Sequence, residues 1–134
     1  MNIKEPYIID FSKIGSSEIG YISVAENEVV PFEIKRVYWS YYTPDSVIRG
    51  HHAHHELEQV LVALAGKIVV YCELPNGFNQ EYILDSPCKG LFMPKNCWHT
   101  MKYDHNSVQM CMASIEYDEA DYVRNYDDFK NLSI

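Results

Sequence analysis

The feature that most constrains the fold is the segment RGHHAHHELEQVLVALAG at residues 49–66. Four of the six histidines lie within five positions of it, directly ahead of an apolar run at residues 60–65. A run of this length is typical of a strand buried on both faces, and the glycine after it favours a turn. Since side chains alternate along a strand, an extended segment would direct His52, His54 and Glu58 to one side. The segment therefore predicts a sheet whose inner face carries chemically active side chains.

A second segment, GLFMPKNCWHTM, contains another histidine with regular spacing. Gly90, Pro94 and His99 follow one another in the order G-x3-P-x4-H. Combined with the H-x-H-x3-E spacing of the first segment, this pattern resembles the two sequence motifs of the cupin superfamily. The resemblance implies a small β-barrel, of the jelly-roll type, whose inward residues hold a metal or transfer protons.

The rest of the chain reads as short strands separated by turns. Aromatic and β-branched residues favour strands at residues 7–11, 20–25, 34–42, 67–74, 78–84, 91–94, 100–103 and 107–116. The acid-rich stretch after residue 116 predicts one helical turn and no long helix. We therefore expect an all-β fold, a single cupin domain over residues 1–134. An exposed sheet edge invites pairing, so we also expect a homodimer.

Composition limits the partners and the compartment. The net charge is -8 with only 11 lysines and arginines, which argues against binding to nucleic acid. The sequence has no apolar run near the roughly 20 residues that span a membrane. Four cysteines without a C-x-x-C pair, and a beginning without the blocks of a signal peptide, predict a cytoplasmic protein with reduced thiols.

A closer resemblance involves residues 49–54, RGHHAH, which are similar to the R-G-x-H-A-H signature of the nucleotide-sugar 3,4-ketoisomerases. Supporting segments occur along the chain at residues 31–38, 58–62, 84–87, 98–99 and 117–127. The resemblance implies dimeric cupins that convert a thymidine-diphosphate-linked (dTDP-linked) 4-keto-6-deoxyglucose into a 3-keto sugar, which a transaminase then aminates. It also implies catalysis by His52 and His54 without a metal or another cofactor. Many members have an Arg-Gly pair where this chain has Glu18-Ile19.

The chemistry of such a reaction suits the histidine pair. Moving a carbonyl from C4 to C3 requires removal of the proton on C3, an enediolate, and return of a proton to C4. Histidine has an unperturbed pKa of about 6.5, which is appropriate for both steps. We assign His52 and His54 to proton transfer as a pair, without distinguishing their roles.

Five further residues are candidates for substrate binding. Arg49 is a candidate for the diphosphate, because a guanidinium binds phosphate bidentately and the following glycine lets the backbone approach closely. Arg36 is a second candidate cation, and Tyr38 either stacks on the thymine or packs in a strand, as we expect for Trp39. Glu58 and His99 would orient the catalytic imidazoles or contact the sugar.

Two alternative functions remain open at this point. His52, His54, Glu58 and His99 supply the three imidazoles and one carboxylate of a metal-binding cupin, such as a dioxygenase. A non-catalytic sugar-binding cupin would use the same cavity for recognition alone.

Overall fold

The computed structural model of the protein describes residues 4–132. Within this range almost all of the regular secondary structure is β-strand, with one turn of 3-10 helix at Glu119–Asp121 and one short α-helix. The elements are β1 Tyr7–Asp10, β2 Ile14–Ser16, β3 Gly20–Ile22, β4 Arg36–Ser40, β5 Ile48–His54, β6 Gln59–Ala65, β7 Ile68–Glu73, β8 Asn79–Leu84, β9 Lys89–Met93, β10 Trp98–Tyr103, β11 Val108–Ala113, β12 Tyr122–Val123 and α1 Tyr126–Lys130. No helix among these residues is long and apolar enough to cross a membrane.

Two five-stranded sheets form the body of the fold. The first sheet has the order β1-β9-β6-β11-β4 and the second has the order β12-β5-β10-β7-β8. All neighbouring strands in both sheets are antiparallel. The sheets pack against each other as a jelly roll, which confirms the predicted fold class. The strands β2 and β3 form a separate hairpin. The sequence predicted a strand at residues 20–25, which includes β3, but it did not predict β2 or the hairpin.

The central strand β6 is buried on both faces from Gln59 to Ala63, which confirms the prediction for most of the run at residues 60–65; Leu64 and Ala65 at its end are exposed. Leu61 and Ala63 point into a core shared by the two sheets, together with Ile68, Val70, Cys72, Leu91, Met93, Met101, Tyr103 and Cys111. Val60 and Val62 point to the outer face of the first sheet, where they pack beneath the N-terminal segment, including Phe11 and Val30. Burying one such aliphatic side chain contributes about 1.5–3 kcal/mol. The sheets are therefore joined by one core and flanked by a second.

Strand β4, at the edge of the first sheet, divides its side chains between the two faces. Tyr38 pairs with Cys111 of the inter-sheet core, so Tyr38 and its neighbour Arg36 face inward. Val37 and Trp39 face outward, and Trp39 is 62 % exposed. The packing expected for Trp39 is therefore wrong within the single chain.

Strand β5 contains a β-bulge. His99 on β10 pairs with His52, but the next residue, Thr100, pairs with Gly50, which leaves His51 as the extra residue. His51 and Gly50 both have positive φ, at 60° and 97°. The extra residue shifts the alternation of side chains along β5 by one position. Side chains before the bulge therefore point to the opposite face of the sheet from the one that uninterrupted alternation would give them.

The chain also bends between β5 and β6, at residues 55–58. The alternation expected from His52 to Glu58 does not continue through this bend. Gln59 faces the inter-sheet core, where its Oε1 accepts a hydrogen bond from the Cys111 thiol. Glu58 has the same parity as Val60, which points to the outer face of the first sheet. The prediction that Glu58 points to the same side as the two histidines is therefore wrong.

Candidate active site

Three histidines meet at one end of the space between the sheets. His52 and His54 extend from β5, and His99 extends from the neighbouring strand β10. The ring centroids are 4.7 Å apart for His52 and His99, 5.1 Å for His52 and His54, and 6.1 Å for His54 and His99. The structure therefore brings the predicted catalytic pair together with His99. His51 and His55 are exposed to solvent.

Backbone carbonyls determine the tautomer of two of these rings. Nδ1 of His52 lies 3.0 Å from the carbonyl oxygen of Gly50, and Nδ1 of His99 lies 3.1 Å from that of Cys97. A carbonyl can only accept, so each Nδ1 carries the proton and donates it. In the neutral ring, Nε2 then has a free lone pair. Both rings are therefore oriented to accept a proton or a hydrogen bond through Nε2.

The cluster is neutral near pH 7. Burial lowers the pKa of His52 to about 4 and that of His99 to about 3. Burial, followed by the neighbouring imidazoles of His99 and His52, lowers the pKa of His54 to about 2. Desolvation disfavours the charged form of each ring, so all three are available as bases.

A buried carboxylate lies beside His54. Oδ2 of Asp121 is 3.4 Å from Nδ1 of His54, and both side chains are nearly inaccessible at 6 % and 5 % exposure. The same carboxylate accepts the backbone N–H groups of Glu56 and Leu57 at 2.7 and 3.1 Å. Asp121 therefore connects the bend after β5 to the histidine cluster.

A cleft of about 310 Å³ opens beside His52 and is bordered by two arginines. Arg49 pairs with Met101 of the inter-sheet core, so the bulge directs Arg49 to the same face as His52. The Arg124 guanidinium lies 4.1 Å from the ring of Tyr122, which in turn contacts His52 and His54. Arg124 also donates from Nε and Nη2 to the carboxylate of Glu119 at 2.8 and 3.0 Å. The mouth of the site therefore has an aromatic wall and two arginines, of which Arg124 is paired with a carboxylate.

Arg36 and Tyr38 form the opposite wall, on β4. The Tyr38 hydroxyl donates to Oε1 of Gln59 at 3.3 Å, and burial raises the pKa of this phenol above its ordinary value. Tyr38 therefore keeps its proton and remains a hydrogen-bond donor. The Arg36 guanidinium lies 5.0 Å from the Tyr38 ring, and its buried Nε has no hydrogen-bond partner within residues 4–132.

Glu58 does not join this cavity. Its Oε2 lies 3.2 Å from Nζ of Lys4, which is consistent with its outward parity. The ligand atoms of His52, His54 and His99 lie within 4.8 Å of one another, and imidazole suits zinc and other transition metals. The three imidazoles of the predicted metal-binding residues therefore lie together, whereas the carboxylate of Glu58 lies apart from them.

Sequence reasoning did not assign Asp121, Tyr122, Arg124 or Gln59 to the site. The first three belong to a stretch that supported the family resemblance, but nothing in their local pattern indicates a long-range contact. They reach the histidines because β12 pairs with β5, with Tyr122 opposite His54. Gln59 was missed because the bend after β5 changes the alternation.

A jelly roll with neutral, buried imidazoles between its sheets and arginines at its mouth defines a cupin suited to acid–base chemistry. The family model described as "FdtA: WxcM-like, C-terminal" matches residues 4–133. A TDP-4-oxo-6-deoxy-alpha-D-glucose-3,4-oxoisomerase of Aneurinibacillus thermoaerophilus is 44% identical over 127 residues, which are 94% of this chain and 91% of that protein. The chain belongs to the FdtA family of sugar 3,4-ketoisomerases, and the predicted class of enzyme, an isomerase, is confirmed.

Solved structures agree with this assignment. The WlaRB TDP-quinovose 3,4-ketoisomerase of Campylobacter jejuni has a TM-score of 0.90 and 36% identity, over 97% of this chain and 100% of that one. QdtA, a sugar 3,4-ketoisomerase of Thermoanaerobacterium thermosaccharolyticum in complex with TDP, has a TM-score of 0.89 and 32% identity, over 94% of this chain and 92% of that one.

Proposed function

We propose that this protein converts dTDP-4-keto-6-deoxyglucose into a dTDP-3-keto-6-deoxyhexose by proton transfer through an enediolate. The observation that carries the proposal is the cluster of three neutral imidazoles, of which His52 and His99 have Nε2 unprotonated. Neutral imidazoles are the bases that this reaction needs near pH 7. The names of the relatives in Aneurinibacillus and Thermoanaerobacterium support the nucleotide and the type of sugar.

The reaction moves two protons, and the site has two catalytic histidines. One imidazole takes the proton from C3 and returns it to C4, while the other transfers the proton of the C3 hydroxyl to the C4 oxygen. His52 and His54 are the proposed pair because they share a strand and a cavity. His99 contacts both rings and is proposed to bind the sugar oxygens.

The walls of the site suggest how the nucleotide sugar binds. Arg49 is proposed to bind the diphosphate, and Arg124 is a second cation at the same mouth. Tyr38 and Arg36 are proposed to contact the sugar or the base from the opposite wall. Glu58 is not part of this proposal, because it lies on the outer face of the first sheet.

The proposal also covers the fate of the product and the cellular compartment. The 3-keto sugar is a substrate for amination by a transaminase, so we propose a role in the biosynthesis of 3-amino-3,6-dideoxy sugars. We also propose that residues 1–134 act as one domain in the cytoplasm. The four free cysteines support this compartment, since thiols remain reduced there.

We propose that the protein is a homodimer whose interface includes the outer face of the first sheet. Trp39 lies opposite Met110, and Met110 lies opposite Val62, so the three form one apolar row. Beside this row is an apolar groove of about 360 Å³, which includes Tyr21 and Leu64 and is separate from the histidines. A second copy of the chain would cover this surface, because an isologous contact needs only a self-complementary patch.

The experiment that tests the function is incubation with dTDP-4-keto-6-deoxyglucose in deuterium oxide. We expect formation of the 3-keto isomer, with deuterium at C3 or C4 where the enediolate exchanges its proton with solvent. Absence of any isomer in the presence of bound nucleotide sugar would instead support the non-catalytic sugar-binding alternative.

A metal-dependent cupin remains the second candidate, because the three imidazole donors lie together. We expect turnover to persist after treatment with a chelator, since hydrogen bonds can stabilise an enediolate without a Lewis acid. Stoichiometric metal, whose removal abolishes turnover and whose return restores it, would contradict the cofactor-free proposal.

A further inference from the structure

Arg36 is a cation inside the fold that has no acidic partner. It begins β4 and shares the inner face of that strand with Tyr38, so its side chain faces the space between the two sheets. Its Nε is buried without a hydrogen-bond partner within residues 4–132, and none of the ion pairs among these residues includes Arg36. A guanidinium keeps its charge in proteins, and an unpaired charge away from water is costly. The fold therefore retains a cation at an energetic disadvantage.

Two tyrosine rings lie beside this guanidinium. Its central carbon is 5.0 Å from the ring centroid of Tyr38 and 5.7 Å from that of Tyr117. A ring face attracts a cation, but it does not replace the carboxylate or phosphate oxygens to which a guanidinium donates in its own plane. The side chain as a whole is only half-buried, so a bound molecule can reach it. Arg36 is therefore available to an oxygen atom of a ligand in the cavity.

The charge of Arg36 acts at the histidine cluster. Burial and the imidazoles of His99 and His52 lower the pKa of His54 to about 2, and the Arg36 guanidinium is the next cause of this shift. Arg36 extends from the first sheet, whereas His54 extends from the second. A sugar between the sheets would therefore have the imidazoles on one side and the guanidinium on the other.

We infer that Arg36 is a further catalytic residue, which donates a hydrogen bond to O4 of the sugar and stabilises the negative charge that this oxygen gains in the enediolate. The inference rests on the proposed function and gives Arg36 a part in the chemical step, beyond contact with the sugar. It does not depend on which member of the pair His52 and His54 acts on carbon.

The charge on O4 arises when the first proton moves. The C3–H bond breaks, its proton moves to one catalytic imidazole, the electron pair forms a C3–C4 double bond, and the C4 carbonyl π pair moves to O4. Arg36 keeps its own protons and binds O4 through a hydrogen bond. The other imidazole carries the proton of O3 to O4, and the first returns its proton to C4 as the C3 carbonyl forms. No oxidant, reductant or second substrate is required.

The other charged groups do not supply this stabilisation. The three imidazoles are neutral near pH 7, so none of them places a positive charge beside O4 before the C3 proton moves. Arg49 borders the cleft at the mouth, and Arg124, at the same mouth, is paired with Glu119. A fixed donor that meets developing charge on an oxygen typically contributes about 10²–10³ in rate. Arg36 is placed to make this contribution.

The first experiment compares Arg36→Met and Arg36→Lys with Lys35→Met in the isomerase assay. Lys35 is the preceding residue and is exposed, so Lys35→Met removes the same charge outside the cavity. We expect kcat of Arg36→Met to fall about 10²–10³-fold, with dTDP affinity within about twofold, because the diphosphate binds elsewhere. Arg36→Lys should retain more activity than Arg36→Met, since the charge remains. Lys35→Met should keep the wild-type kcat.

The second experiment measures urea unfolding of the same variants and needs no substrate. Methionine keeps an apolar stem but removes a charge that is unpaired within residues 4–132. We therefore expect the urea midpoint of Arg36→Met to be at or above those of the wild type and of Lys35→Met. A clearly lower midpoint, or an Arg36→Met protein that does not fold, would show that Arg36 serves the fold and would overturn the inference.

The outcomes separate this inference from the proposed function. A wild-type protein that binds the nucleotide sugar but does not isomerise it would reject the function, and the role of Arg36 with it. An active wild type would leave the function standing. In that case, unchanged kcat in Arg36→Met, equal losses in Arg36→Met and Lys35→Met, or a rise in KM alone would overturn only the role of Arg36.

Discussion

The histidines of residues 51–55 differ in exposure, and this difference separates their expected roles. Replacing His52 or His54 by Asn should lower kcat by about 10²–10⁴, the usual contribution of a positioned proton-transfer group. Replacing His51 or His55 should cost far less, because both side chains are exposed. Steady-state kinetics, with dTDP affinity as the binding control, measures this pattern. A His51 variant as impaired as His54 would contradict the assignment of the pair.

Arg49 offers a second test at the level of one side chain. Arg49→Lys should raise KM about tenfold or more and affect kcat less, because the charge remains but the bidentate fork is lost. Lys102→Arg makes the reverse change on the outer face of the same sheet, where the side chain is exposed, and KM should not change. If Arg49→Lys retains the wild-type KM, Arg49 does not bind the diphosphate.

The bulge in β5 is the element that brings Arg49 and His52 to one face. Gly50 has a φ of 97°, and an added Cβ would lie 2.6 Å from the carbonyl oxygen of His99. Gly77 has nearly the same φ, 96°, with nothing within 4 Å of an added Cβ, so it is a matched control. Gly77→Ala should cost about 1–2 kcal/mol from backbone strain alone. Gly50→Ala should cost more and lose activity, as urea unfolding and kinetics would report.

A Gly50→Ala protein with the stability and activity of Gly77→Ala would show that the backbone at the bulge adjusts freely. In that case the close approach of β5 and β10 would not determine the geometry of the site.

The sequence predicted most strands because the signal for a strand is local. The apolar run of β6, the two strands at residues 67–74 and 78–84, and the motifs that contain His52, His54 and His99 each lie within a short segment. The bulge depends on a positive φ at His51, a residue type that does not require it, so local patterns do not report it. Glu58 was misplaced because side chains alternate only while the chain remains extended, and the chain bends between β5 and β6.

At the scale of the whole molecule, the buried neutral histidines make stability depend on pH. Their pKa values in the folded protein lie at about 4 or below, whereas in the unfolded chain they return to about 6.5. The unfolded chain therefore binds more protons below pH 6.5, and stability falls as the pH decreases from 6.5 towards 4. Between pH 7 and pH 5, His54 and His99 should each remove about 2 kcal/mol.

Urea unfolding at the two pH values tests this dependence. His99→Asn should reduce the difference in unfolding free energy between pH 7 and pH 5 by about 2 kcal/mol. The exposed His105 is the control, and His105→Asn should leave the difference unchanged. Equal pH dependence in wild type and His99→Asn would mean that His99 is not held neutral in the folded state.

The proposed dimer is a second property of the whole molecule. Trp39→Lys should shift the protein to monomer in sedimentation velocity experiments, because a charge would enter the apolar row on the outer face of the first sheet. Ile83→Lys is the control, since Ile83 is 58% exposed on β8 of the other sheet. A monomeric wild-type protein, or a dimeric Trp39→Lys variant, would contradict the proposed interface.

The backbone anchors of His52 and His99 have a consequence for how enzymes of this type can diverge. Each ring is oriented by a backbone carbonyl two residues earlier in the chain, and not by a side chain of the cavity wall. Mutations in the walls, at Tyr38 or Tyr122, can therefore alter which sugar fits without releasing these two imidazoles. In laboratory evolution, we expect new substrate preferences to arise from wall substitutions while both anchored histidines are retained.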